Sequence, residues 1–375
     1  MIVISNPFTL GIVSKKDFCN RSEELENILR HVRGGNNVVL LSPRRFGKSS
    51  LVYKALEVLE RKGFLCVYVD LFPVISERDF IERFSIGVFK GIGRGADPRT
   101  IGRKVLNMFA RLIPSFEVKP DGVGLSVKLD RSTDNDLLLD DLMAGICKYV
   151  KGKKTKACIA LDEFQEITEL PESKKIEGIL RSHIQHHKEI SYLFIGSRRR
   201  ILQDMFSKKR PFYKSAFSYT LKEIPADEFI KCIVDRFKES GKSCPSEIAE
   251  GIYEMVRGYP YYVKKLSAVV WDLTTTQCDP EILREAYRIL LETEGIDFEG
   301  IWSSLTLTNK AVLKAIAKEP TASPYARAYL ERYQLSLGGA QRAIKNLLNK
   351  DLIEKVQDGK YRVTDPVFGV WCRVL

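Results

Sequence analysis

Apolar residues in this chain first gather in short unbroken runs and later recur at helical spacing, with the change near residue 225. Before it, NNVVLL (36–41), FLCVYVDLF (64–72), KACIALDEF (156–164), SYLFIGS (191–197) and FSYTLKEI (217–224) read as five buried strands. The segments between them, among them 49–62, 77–91 and 137–150, carry apolar residues three or four apart, the signature of helices packed on one face. Apolar strands alternating with helices predict an α/β core built on a parallel sheet covered on both faces. Residues 114–130 break the order. Their apolar–polar alternation around Asp121-Gly122 predicts an inserted hairpin.

From residue 225 to about Gly295 four helical segments follow one another with no strand pattern. Residues 308–318, 324–333 and 337–350 then read as shorter helices, and 352–363 as a hairpin turning at Asp358-Gly359. Three helices and a two-stranded wing make a winged helix-turn-helix. The expected division is therefore 1–224, 225–298 and 299–375.

Composition narrows the class. With 375 residues, 44% of them hydrophobic, the chain has material for more than one core. No apolar run reaches the ~18 residues of a membrane span, and the N-terminus lacks the pattern of a signal peptide, so the expectation is a cytoplasmic protein without membrane partners. The eight cysteines are scattered singly, which predicts reduced thiols rather than zinc or disulfide sites. The net charge of +12 is clustered: residues 301–375 hold twelve lysines and arginines against six acids, and residues 198–214 seven against one. Clustering of that kind fits a polyanion-binding surface.

Candidate chemistry begins at SPRRFGKSS, residues 42–50, between the first strand and its helix. A phosphate-binding loop reads G-x-x-x-x-G-K-[ST]. Here Ser42 stands for the first glycine, and Pro43, Arg44, Arg45 and Phe46 fill the middle. Gly47, Lys48, Ser49 and Ser50 complete the motif. Gly47 permits close approach of backbone to phosphate, Lys48 would lie on the β/γ-phosphates, and Ser49 would ligate Mg²⁺. ATP or ADP is the implied ligand. The third strand ends in Asp162-Glu163; Asp162 would contact the metal and Glu163 would polarise the attacking water. The fourth strand ends at Ser197 and Arg198, where a hydroxyl and a guanidinium would meet the γ-phosphate or the water. Arg210 reads either as an arginine finger, within the chain or across subunits, or as a solvated loop residue.

The order PRRFGKSSL, ALDEFQEI, FIGSRRR, RGYPYYVKKL and YRVTDPVFGVW resembles the prokaryotic AAA+ ATPases of the archaeal ATPase group, which are related to STAND signalling ATPases and to initiators of the origin-recognition type. The resemblance implies a helical lid carrying Gly258-Tyr259-Pro260, with Pro260 near the base. It also makes FCNRSEEL (18–25) a box that shapes the adenine pocket, with Arg21 and Glu24 matching and Asn20 in place of the usual Gly.

In the winged helix, Arg342, Lys345, Lys360 and Arg362 would contact phosphates of double-stranded DNA. Three functions stay open. The first is an ATP-hydrolysing switch that controls the winged helix. The second is a nucleotide-holding DNA regulator with negligible turnover. The third is a STAND-like sensor whose winged helix packs on its own ATPase core and whose nucleotide drives self-association.

Overall fold

Runs of aliphatic residues this continuous satisfy their backbone without exposing side chains only inside a sheet covered on both faces. The computed structural model describes residues 5–8, 11, 21–72, 74–93, 108–109, 111–119, 122–129, 132–356 and 358–375. These residues divide into two units, one of Ser22–Ser42 and Lys48–Leu221, the other of Pro43–Gly47 and Lys222–Leu375 with the described residues before Ser22.

In the first unit, β1 (Val38–Leu41), β2 (Leu65–Asp70), β5 (Ala157–Asp162), β6 (Ile190–Gly196) and β7 (Phe217–Thr220) form one parallel sheet in the order β2-β5-β6-β1-β7. All five expected strands are present, but β7, at the edge of the sheet, is exposed at three of its four residues rather than buried. The central pair, β5 and β6, is buried at every residue. Register sets Leu41 beside Gly196 and Asp70 beside Asp162. Ser42, Asp70, Asp162 and Ser197 therefore lie at or just beyond the carboxyl ends of their strands, where parallel sheets hold ligands.

The helices of this unit are α1 (Ser22–Arg33), α2 (Lys48–Glu60), α3 (Glu77–Gly93), α4 (Asn135–Lys153), α5 (Ser173–Ile184) and α6 (Arg199–Met205). One core joins Phe80, Phe84 and Phe89 of α3 to Leu142 and Ile146 of α4 and to Phe194 of β6. Helix α3 meets β2 unusually closely: a methyl group on Gly91 would lie 2.7 Å from the Cys66 carbonyl oxygen, and one on Gly87 2.7 Å from Val69 Cγ2. The inserted hairpin is β3 (Leu112–Lys119) against β4 (Gly122–Leu129), with Lys119 opposite Gly122. Asp121, in its expected turn, lies outside the described residues, as does Asn20.

The second unit holds α7 (Ala226–Glu239), α8 (Ser246–Met255), α9 (Pro260–Leu273) and α10 (Pro280–Ser303). After them come α11 (Leu307–Lys318), α12 (Arg327–Arg332), α13 (Leu337–Asn349), a wing of β8 (Ile353–Lys355) and β9 (Tyr361–Val363), and α14 (Pro366–Val374). Side-chain caps explain several starts: Asp279, Thr306, Ser336 and Asp365 each accept from backbone N–H groups of the following first turn. The terminal α14 is absent from the sequence expectation, although Asp365-Pro366 is a legible start signal. Helix α10 runs through Gly295 unbroken, and its Phe298 packs against Phe368 of α14 with ring centroids 5.0 Å apart.

Cys66, Cys147, Cys158, Cys244, Cys278 and Cys372 are free thiols. Cys232 is disulfide-bonded, which corrects the expectation of reduced thiols throughout; spacing along the chain carries no information on which sulfurs meet in space. Among the described residues no helix is long and apolar enough to cross a membrane.

His187, between α5 and β6, places Nδ1 2.8 Å from the Tyr192 hydroxyl. Burial, with His183, Lys151 and His186 nearby, lowers its pKa from 6.5 to about 4. The unfolded imidazole takes a proton below pH 6.5 that the folded one refuses until about pH 4, so acidification through that window favours unfolding. Denaturant titrations should show His187→Gln losing roughly 3 kcal/mol less than wild type between those two pH values.

Candidate phosphate-binding site

The loop that follows β1 bends through two left-handed residues, Arg45 with φ 63° and Gly47 with φ 87°. Gly47 meets that demand without strain, whereas Arg45 needs outside support. Ser42 is buried, and its N–H donates to the Gly196 carbonyl at 3.4 Å, tying the loop entrance to β6. Lys48 opens α2, whose first turn contains no acid. The helix N-terminus therefore offers unneutralised N–H groups to an anion. Ser50 follows half-buried in the same turn.

At the end of β5 two carboxylates diverge. Asp162 is 4% exposed, and it accepts from Ser49 Oγ at 2.8 Å, Tyr68 OH at 2.5 Å and the Glu163 N–H at 3.0 Å. Glu163 has a left-handed backbone, φ 52°, which turns the chain into a short 3₁₀ helix, Phe164–Glu169. Its carboxylate accepts from Ser197 N–H at 3.0 Å, Ser197 Oγ at 2.8 Å and Gln165 Nε2 at 2.6 Å, and it pairs with Lys48 Nζ at 3.4 Å. Burial pushes the Glu163 pKa up, but the Lys48 charge and the Gln165 and Ser197 hydrogen bonds outweigh it, leaving the pKa below the ordinary 4.5.

Lys48, Ser49, Asp162, Glu163 and Ser197 thus meet at one place. Arg198 turns to acids instead, donating to Glu166 at 2.8 Å and Glu169 at 2.7 Å. Arg210 pairs with the fully buried Glu177. Arg21 donates to the Phe46 carbonyl at 3.1 Å and to the Lys222 carbonyl at 3.0 Å, and Pro260 is the buried first residue of α9. In the winged helix, Arg342 and Lys345 are exposed on α13, whereas Lys360 pairs with Asp358 and Arg362 with Glu354.

The donor set suits magnesium. A hydroxyl and a carboxylate oxygen 2.8 Å apart are hard ligands of the kind that Mg²⁺ combines with phosphate and water. Among the described residues no group of three or more His, Cys, Asp or Glu side chains could hold a metal by itself. Two contributors escaped sequence reasoning: Tyr68 and Gln165. Tyr68 and Asp70 interrupt an apolar strand at a spacing of two, which places both on one face. Gln165 is fully buried with Oε1 unpartnered, and it lies where a side chain on Gly196 would sit, 2.0 Å from that position. No signal in a single sequence marks it.

A family model described as "ATPase domain predominantly from Archaea" matches residues 18–266. The chain belongs to this family. A second model, described as "Probable winged helix domain", matches residues 296–374 of this archaeal-type ATPase. Its fold is similar to that of the Walker-type ATPase PABY2304 of Pyrococcus abyssi, at TM-score 0.75 and 16% identity, over 98% of this chain and 99% of that one. The Aeropyrum pernix ORC2 protein, in ADPNP-ADP complexes, is similar at TM-score 0.59 and 14% identity over 98% of both chains. No curated protein matches. The fold is a P-loop AAA+ parallel-sheet core with a helical region and a C-terminal winged helix.

The lowered Glu163 pKa gives an acid signature. Its stabilising interactions are complete above pH 4.5 and are lost as pH falls through the lowered folded value. Glu163→Gln does not titrate, so the stability difference between wild type and this ATPase variant should shrink as denaturation is repeated from pH 5 downward.

Proposed function

We propose that the protein binds ATP and Mg²⁺ at the loop of residues 42–50, hydrolyses ATP, and uses its nucleotide state to bias the winged helix. One observation carries this reading: Ser49 on Asp162 and Lys48 on Glu163 close a four-residue constellation across α2 and β5. Lys48, already buried beside Glu163, would take the β/γ-phosphates in its place. Glu163 would then turn to the attacking water, with Ser197 and Gln165 fixing its direction. Ser49 and Asp162 would hold the metal, which supplies charge neutralisation between phosphate oxygens. Family membership supports the ATPase reading, and the Aeropyrum pernix ORC2 protein was solved with ADPNP and ADP.

For the winged helix, double-stranded DNA is the proposed partner, with exposed Arg342 and Lys345 on phosphates. A second reading rests on packing. Tyr262 OH donates to Asp365 at 2.6 Å and Arg257 to the Val363 carbonyl at 3.1 Å, contacts that suit a module regulated by docking on its own helices.

Phosphate release tests the enzyme. Lys48→Ala and Glu163→Gln should each lower turnover roughly 10²-fold or more, with nucleotide binding kept only in the latter. Equal turnover in all three proteins contradicts the proposal. Fluorescence anisotropy with duplex DNA should show weakened binding for Arg342→Ala and Lys345→Ala, and a salt slope about one unit shallower for each. Unchanged slopes favour the docking reading.

A further inference from the structure

The arginines at the loop apex are superfluous to a phosphate loop, yet Arg45 is held by two carboxylates. Arg45 adopts a left-handed backbone, a state that persists in a non-glycine residue only where the surroundings impose it. Its guanidinium donates to Glu294 Oε2 at 2.6 Å and to Asp297 Oδ2 at 3.1 Å, and Cζ lies 4.5 Å from the centroid of the Tyr261 ring. Glu294 is 1% exposed and also accepts from Lys265 and from the Tyr261 hydroxyl. A carboxylate buried this deeply depends on its donors, so an Arg45 that swung to a phosphate would strip it of one.

The neighbouring residues are held as firmly. The Tyr259 hydroxyl donates to the Arg44 carbonyl at 2.7 Å, and Arg21 donates to the Phe46 carbonyl at 3.1 Å. In a trans peptide the carbonyl and the next N–H point in opposite directions. Fixing the carbonyls of Arg44 and Phe46 therefore fixes the N–H groups of Arg45 and Gly47, two of the donors that a phosphate loop presents.

We infer that Arg45 is a positioning residue and not a phosphate ligand: with Glu294 and Tyr259 it clamps the loop apex from α9 and α10 in an anion-binding shape. The inference rests on the nucleotide reading above. It also gives that reading a route. Helix α10 carries Glu294 three residues before Asp297 and four before Phe298, whose ring packs on Phe368 of the winged helix. The residue that clamps the loop and the residue that seats the winged helix lie one turn apart.

The test is a double-mutant cycle of Arg45→Gln and Glu294→Gln. It is read by fluorescence titration with N-methylanthraniloyl ATP and ADP, and by hydrogen exchange at residues 44–47 without nucleotide. The clamp predicts that each single variant weakens both nucleotides about tenfold, that the double variant loses no more than either, and that loop amides exchange faster in all three. If Arg45 is instead a ligand restrained by Glu294, Glu294→Gln binds ATP as well as wild type or more tightly, and the inference is overturned. Tyr259→Phe removes only a hydroxyl and decides the matter should Glu294→Gln fail to fold: weaker binding of both nucleotides supports the clamp, and unchanged binding overturns it. Wild type that binds neither nucleotide sinks the function proposed above, whereas wild type that binds while loop exchange ignores both variants sinks the clamp alone.

Discussion

Buried charge at the end of β5 governs the design of this protein. Asp162, Glu163 and Lys48 all leave water on folding, and a lone buried ion costs several kcal/mol. The cost is met by neighbours that each strand end delivers: Ser49 and Tyr68 to Asp162, Lys48, Gln165 and Ser197 to Glu163. The sheet order β2-β5-β6-β1-β7 is what makes this possible, because it sets the donor strands directly beside β5 or one strand further away. An arrangement that satisfies its acids internally is also primed for exchange. Under the proposed function, an incoming triphosphate with its metal would offer Lys48, Ser49 and Asp162 partners at least as good as the present ones and would free Glu163 for water.

The second unit repeats the theme with Glu294. Here the buried carboxylate serves architecture, gathering Arg45, Lys265 and Tyr261 about α10. The GYPYY stretch divides its tyrosines among three neighbours: Tyr259 to the loop, Tyr261 to Glu294 and Tyr262 to Asp365. A single turn of α9 thus touches the loop apex, α10 and the cap of α14.

Much of this was legible in the sequence because it follows from local pattern. The five strands announce themselves as aliphatic runs, Gly47-Lys48-Ser49 stands where α2 begins, and Asp162-Glu163 stands where β5 ends. What escaped depends on distance in space. Tyr68 becomes a ligand of Asp162 only through the register of β2 on β5. Gln165 gains its place from the space left by Gly196, and Arg45 finds Glu294 across 249 residues of chain. The disulfide at Cys232 and the spent guanidinium of Arg198 escaped for the same reason: composition gives the side chains, and tertiary structure chooses their partners.

A crystal structure with Mg²⁺ and a non-hydrolysable ATP analogue tests the account most directly. The triphosphate should lie on the amides of residues 45–49 and the metal on Ser49 and Asp162, with Glu163 released from Lys48 and Arg45 still on Glu294. An empty loop, or Arg45 turned from Glu294 onto the phosphates, would contradict it.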